Sequence, residues 1–220
     1  MIVTIDGPAG SGKSTAARGL AQRLGFEFLD TGAMYRCVAF AVLQQNVDPA
    51  DERAVVKMSQ QIQITFSHAK VLLDGEDVSL DIRTPEVTEA ASLVAQYPAV
   101  RKELVHLQRQ AAAGIDIVSE GRDQGTVVFP DAFCKFFLIA DPEERARRRQ
   151  DELQAQGKNV TCEEILQQIY ERDQRDEQRT VAPLKPADDA IEINTSTATI
   201  DEVLDQLEQI VRSRINSVTH

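Results

Sequence analysis

Gly7-Pro8-Ala9-Gly10-Ser11-Gly12-Lys13-Ser14 is the segment whose residue types and spacing are best suited to chemistry. Glycines let the backbone curl so that its N–H groups converge on anionic oxygens, and a helix starting at Lys13 adds partial positive charge. The pattern is that of a Walker A loop, G-x-x-x-x-G-K-[ST]. Lys13 is placed to reach the β- and γ-phosphates of a nucleoside triphosphate, and the Ser14 hydroxyl to take Mg2+ or its water. Gly7, Pro8, Ala9, Gly10, Ser11, Gly12, Lys13, Ser14 and Thr15 are therefore the expected triphosphate site, with Ser14 its metal contact. A glycine-rich turn without a ligand is the plainer alternative. The apolar strand before the loop and the helical pattern after it, which the motif requires, speak against that.

Three further groups carry charge that could serve a phosphate. Ser119-Glu120-Gly121-Arg122-Asp123-Gln124-Gly125-Thr126 follows the apolar run at 115–118, and open α/β sheets gather ligands at the carboxyl ends of their strands. Arg122 offers a bidentate fork, and Asp123 an acceptor for an amino group or a ribose hydroxyl. An ion pair internal to the turn is the competing reading. Arg145, Arg147, Arg148 and Arg149 cluster in an acidic chain; they suit either a solvated helix paired with Glu143 and Glu144 or a lid bringing positive charge over a transferring group. Spacings of three, four and seven put Arg172, Arg175, Asp176 and Arg179 on one helix face, three guanidiniums about one carboxylate, or else a surface lattice of ion pairs. Asp141, at the end of an apolar run and before Pro142, is most simply a helix cap, with metal binding the other role.

The elements that must hold these groups alternate. Residues 2–5 read as a buried strand, a helix runs from Lys13 to a stop at Gly25, residues 26–29 form a second strand, and a helix follows Asp30-Thr31-Gly32. That order predicts an α/β fold, a parallel sheet covered by helices. Residues 62–66 and 70–73, with the Asp74-Gly75 turn before 76–78, predict a small antiparallel insert. Helical patterns cover 85–96, 98–112, 143–156, 162–179 and 200–215; buried-strand character marks 115–118, 133–139 and 190–193.

Composition narrows the function. The chain has 220 residues, 42% of them hydrophobic, and its 35 acidic against 24 basic side chains give a formal charge of −11. So acidic a chain does not suit sequence-independent binding of nucleic acid. The three cysteines, Cys37, Cys134 and Cys162, have neither zinc nor disulfide-framework spacing and read as reduced thiols. With no basic leader and no apolar run near the ~18 residues of a membrane span, a cytoplasmic protein is expected. The Walker A loop alone leaves GTPases, ATPases, small-molecule kinases and a non-catalytic nucleotide switch open. No N-K-x-D base-recognition motif is present, and arginine groups far from the loop suggest a second phosphate site, for which a switch has no use.

Taken together, the loop, Asp30-Thr31-Gly32-Ala33-Met34-Tyr35-Arg36, Gly121-Arg122-Asp123 with Gly125-Thr126-Val127-Val128-Phe129-Pro130-Asp131, and Glu171-Arg172-Asp173-Gln174-Arg175-Asp176 resemble the bacterial cytidylate kinases, a family of P-loop nucleoside monophosphate kinases. The resemblance runs from Met1 to about the last helix. It implies ATP-dependent phosphorylation of CMP and dCMP with Mg2+ by a monomer that binds neither nucleic acid nor membrane. Its parts would be a core (1–30, 101–144, 161–220), a monophosphate-binding domain (31–100) that carries the antiparallel sheet, and a lid (145–160). Carried onto this chain, it places Ser92, Arg101 and Asp123 around the cytosine. Arg36, Arg122 and Arg179 would hold the acceptor phosphate, Arg172 and Asp176 the ribose, with Thr31 nearby where relatives often have serine. Arg145, Arg148 and Arg149 would close over the ATP phosphates. Lys13, Arg122, Arg148, Arg149 and Arg179 are the groups assigned to the transfer itself. Kinases for UMP, AMP or dTMP are the alternatives; the Gly121-Arg122-Asp123 stretch fits adenylate kinases poorly, and the D-R-[YH] signature of thymidylate kinases is missing.

Overall fold

Ile2–Asp6 forms β1, whose Val3 and Ile5 are wholly buried, and the chain passes from it through the glycine loop into α1, Lys13–Leu24. The computed structural model describes residues 1–67, 70–155 and 157–218; the last residue of the helix expected over 143–156 lies outside them. Gly25 closes α1, in the left-handed conformation that a helix C-terminus favours, and β2 follows at Glu27–Asp30. Two compact units result: Met1–Leu29 with Ala112–His220, and Asp30–Ala111.

In the second unit, α2 (Thr31–Gln44) is capped by Asp30, which accepts from the Ala33 amide. The next helix, α3 (Glu52–Ser59), is absent from the sequence reading. It has eight residues and buries only Val55, Met58 and Ser59, too few for a period to show; its signal was the Asp51 cap. The antiparallel sheet follows: β3 (Ile64–Ser67), β4 (Lys70–Leu73) and β5 (Glu76–Asp77), joined to α4 (Pro85–Val94) by a short 3-10 turn, and then α5 (Pro98–Ala111). Helix α4 packs on α2, and α5 on α3.

The first unit resumes with β6 (Ile117–Gly121), a π-helical turn at Gln124–Val128, and β7 (Cys134–Ile139). Then come α6 (Pro142–Ala155), α7 (Cys162–Glu177) behind a Thr161–Glu164 capping box, β8 (Ile191–Asn194) and α8 (Ile200–Val218). The strands form the expected parallel sheet, with five strands in the order β2-β6-β1-β7-β8. Its core combines Val3, Ile5, Val118, Phe136 and Leu138 with Leu20 of α1 and Leu207 of α8. The α1–α8 contact is close: a Cβ on Gly19 would lie 2.9 Å from both Leu204 methyl carbons.

Strand β6 runs three residues past its expected end at Val118. Ser119 and Glu120 are polar yet buried, because this strand lies between β1 and β2 and its register with β1 continues to Asp6↔Gly121. Among the described residues no helix is long and apolar enough to cross a membrane. Cys37, Cys134 and Cys162 are free thiols, the first two buried; burial pushes the Cys37 thiol up to about 12.

Candidate active site

The glycine loop leaves the central strand of the sheet at its carboxyl end. Lys13 and Ser11 are buried, and the Lys13 ammonium donates to the Pro8 carbonyl at 3.0 Å, folding the side chain back over its own loop. Burial, aided by the Arg122 guanidinium and opposed by Glu120, lowers the Lys13 amine to about 7. From the β8–α8 loop, the Thr195 hydroxyl donates to the Ser11 carbonyl at 3.0 Å. Gly7 has φ +150°, and a Cβ there would lie 2.2 Å from the Leu138 carbonyl oxygen of β7. No rotamer relieves a backbone clash of that depth. Gly7→Ala is therefore expected to cost several kcal/mol, seen as a thermal midpoint lower by about 6–12 °C; a midpoint within 2 °C of the parent would contradict it.

Two acids that the sequence reading left without a role shape the loop's surroundings. Glu120, at the end of β6, accepts from the Ser14 hydroxyl at 3.1 Å. Asp6 accepts from the amides of Gln124 (2.8 Å) and Gly125 (2.7 Å) at the start of the π-helical turn. Burial pushes the Asp6 carboxyl up to about 7 against the pull of those two amides. The signal for both was an acid at the end of a buried strand, Asp6 on the loop's own strand and Glu120 on the strand beside it, and which strands adjoin was not readable. Asp141, the alternative metal-binding acid of the sequence reading, is exposed at the head of α6, where its carbonyl accepts the Arg145 amide at 3.0 Å. Ser14 and Glu120 offer only oxygen donors, the type that Mg2+ takes. Among the described residues no three His, Cys, Asp or Glu cluster as an all-protein metal cage.

Asp176 is the centre of the arginine constellation. Arg122 donates from Nε at 2.9 Å, and Arg179 lies 4.0 Å away. Burial works to raise the Asp176 carboxyl, but Arg122, Arg172 and Arg179 together outweigh it and hold it below the ordinary carboxylate range. Three guanidiniums about one carboxylate is the expected count with one exchange. Arg175 is exposed and bonds back to the Glu171 carbonyl at 3.2 Å, and Arg122 takes its place. One residue advances a helix by about 100°, so Arg175 points away from the side Asp176 occupies. The helix also ends at Glu177, and Arg179, beyond it, is fixed by donating to the Ala182 carbonyl at 2.7 Å. Asp123 is buried within the same unit, near enough to Asp6 to raise its carboxyl.

The α6 arginines divide. Arg149 is exposed and pairs with Glu152 at 2.8 Å. Arg148 donates to Glu144, to the Thr195 hydroxyl and to the Thr195 carbonyl, and its Nη1 is 3.8 Å from where a Cβ on Gly12 would sit. Arg145, expected with them over the phosphates, is buried beneath the loop and bonded to protein on three sides.

The second unit carries Thr31, Arg36, Ser92 and Arg101. Thr31 is buried in the first turn of α2 behind Asp30, which also holds Arg83 at 3.2 Å. Arg101 is buried, donates to the Ala95 carbonyl at 3.3 Å and stacks over the Tyr35 ring at 5.7 Å. The Ser92 hydroxyl is buried and has no hydrogen-bond partner among the described residues, a state that a buried hydroxyl tolerates poorly.

A phosphate loop at the end of a central parallel strand, beside a lysine, a serine and a group of half-buried arginines, defines a P-loop phosphotransferase. The sequence profile of the cytidylate kinases matches residues 3–213, and the chain belongs to that family. It is 48% identical over 217 residues to the cytidylate kinase of Rhodopirellula baltica, covering 99% of this chain and 95% of the relative. To that of Vibrio cholerae it is 48% identical over 218 residues, covering 97% of each. Solved structures share the fold at lower identity. An uncharacterized protein from Eubacterium ventriosum superposes with a TM-score of 0.54 at 13% identity, over 97% of this chain and 99% of that one. Shikimate kinase from Bacteroides thetaiotaomicron gives 0.50 at 10%, over 96% and 98%.

Proposed function

We propose that this chain transfers the γ-phosphate of ATP to CMP, and also to dCMP, with the triphosphate on the Gly7–Ser14 loop and the acceptor read by arginines. Family membership supports the reaction. The observation that carries the acceptor assignment is the charge-dense group of Arg122, Arg172 and Arg179 about Asp176 in a chain of net charge −11. Such a group, kept out of water, suits an anion that also bears a sugar hydroxyl.

Main-chain amides of the loop and the Lys13 amine bind the β- and γ-phosphates, with Thr15 at the mouth of the loop. Arg148 and Arg149 screen the triphosphate from the α6 side. Arg122, Arg179, Arg36 and Thr31 are assigned to the acceptor phosphate. Ser92, Arg101 and Asp123 read the base, and Arg172 with Asp176 the ribose. The free Ser92 hydroxyl is the buried group that a base could satisfy. Mg2+, held by Ser14 with Glu120 behind it, would neutralise phosphate charge as the transfer proceeds. In-line transfer then needs positioning and charge stabilisation, no covalent intermediate and no dedicated general base. Excluding water protects the phosphoryl group from hydrolysis. In this reading residues 31–100 are the acceptor-binding part, 145–160 the lid and the rest the core, and the enzyme works as a cytoplasmic monomer.

A coupled assay of ADP release across CMP, dCMP, UMP, AMP and dTMP tests the acceptor. CMP and dCMP are expected to lead by at least about tenfold in kcat/KM, the worth of one well-placed hydrogen bond to the base. AMP or dTMP in first place would end the assignment.

A further inference from the structure

Arg145 accounts for a contact that neither triphosphate binding nor acceptor recognition explains. Its guanidinium is buried, yet it faces protein on every bonded side. Nη1 donates to the Ala9 carbonyl of the glycine loop at 3.0 Å, Nε to the Ala140 carbonyl at the end of β7 at 3.1 Å, and Nη1 meets the Asp173 carboxylate of α7 at 2.6 Å. The loop rests directly on this side chain: at Gly10, φ +77°, a Cβ would stand 3.1 Å from the Arg145 Cβ. Asp173 is equally committed, since its other oxygen, Oδ1, is buried without a hydrogen-bond partner. It follows Arg172 and stands three residues before Asp176, on the stretch of α7 that gathers the arginine group. The Asp173 charge is felt at Arg122 as well.

A single guanidinium therefore joins a loop carbonyl to the helix that presents the acceptor-reading residues. We propose that Arg145 and Asp173 are positioning residues that couple the two substrate sites, so that filling either with its nucleotide tightens the other. The inference rests on the substrate reading given above. A triphosphate fixes the loop backbone around Ala9; through Arg145 that fixes Asp173, and with it the turn of α7 holding Arg172 and Asp176. The second nucleotide then meets groups already ordered, and linkage requires the effect to be equal in both directions.

Calorimetric titration of CMP into the full chain, with and without a non-hydrolysable ATP analogue and Mg2+, measures the coupling. Filling the donor site is expected to tighten CMP about 5- to 20-fold, in the ordinary range of site–site coupling. Asp173→Asn removes the charge at nearly constant volume. Arg145→Lys keeps the charge but cannot hold Ala9, Ala140 and Asp173 together. In either variant, shown folded by its thermal transition, the factor should fall to about 2 or less, while each nucleotide alone still binds. A merely structural pair would lower stability and leave the ratio of the two affinities alone. Unchanged coupling in both variants, or no coupling in the parent, overturns the inference. Failure of the parent to bind CMP at all would instead bring down the substrate reading on which it stands.

Discussion

Lys13→Ala is expected to abolish nearly all transfer, lowering kcat/KM by about 10³-fold or more, the scale of losing a preorganised charge at a phosphoryl transition state. The fold should survive. The amine is buried, among the described residues bonds only its own loop at Pro8, and is drawn down to about 7, so the folded chain gives up little stability when it goes. The same shift yields a second readout. In the free protein at pH 8 most Lys13 amines are neutral, since the pH lies above their value of about 7. A polyphosphate placed beside the amine favours its charged form and raises that value again. ATP binding at pH 8 therefore takes up protons, approaching about one per site, and at pH 6, where the amine is already charged, Lys13 takes up little. Asp6, also near 7, adds uptake of the same sign because a nearby anion favours its protonated form. Titrations in buffers of different ionisation heat measure this directly. Full activity in Lys13→Ala, or no proton uptake in the parent at pH 8, would remove Lys13 from the mechanism.

Arg122→Ala should lower kcat/KM for CMP by about 10²- to 10⁴-fold, as one half-buried charge-assisted fork is lost from Asp176 and, in the reading proposed above, from the acceptor phosphate. Arg122 donates to Asp176 through Nε and to the Gly121 carbonyl through Nη1, a geometry that orients the fork. Stability should fall less than for an ordinary broken buried pair, below about 3 kcal/mol, because Arg172 and Arg179 still stand by Asp176. Lysine should not rescue the loss, since a point charge cannot bond the carboxylate and a phosphate at set angles. An Arg122→Lys variant within about threefold of the parent would mean that charge alone suffices here, against the role given to the fork.

The glycine loop, the alternation of strand and helix and the antiparallel insert were legible because each follows from local rules: turn chemistry, period and punctuation. What was not legible depended on which strands lie side by side. Glu120 and Asp6 matter because β6 adjoins β1, and no period in the sequence states that adjacency. Arg175 misled for a related reason. Spacing placed it on the face of Asp176, but the carboxylate is met from across the unit by Arg122, 54 residues distant in sequence. Arg145 was read as one of a charged cluster, and only its burial under the loop sets it apart from Arg147 and Arg149.

Asp6 bears on where this sequence is free to drift. Its two carboxylate oxygens take the amides of Gln124 and Gly125, while its own backbone is held in register with Gly121. An inserted or deleted residue between Gly121 and Gln124 would withdraw those amides from an acid that cannot follow them, leaving a buried carboxylate without donors. Tolerance for changes of length should therefore collect elsewhere, at places such as the exposed Asp74-Gly75 turn, where a Cβ on Gly75 would meet only open space. Length variation among descendants of this chain would be written in the antiparallel hairpin and erased beside the glycine loop.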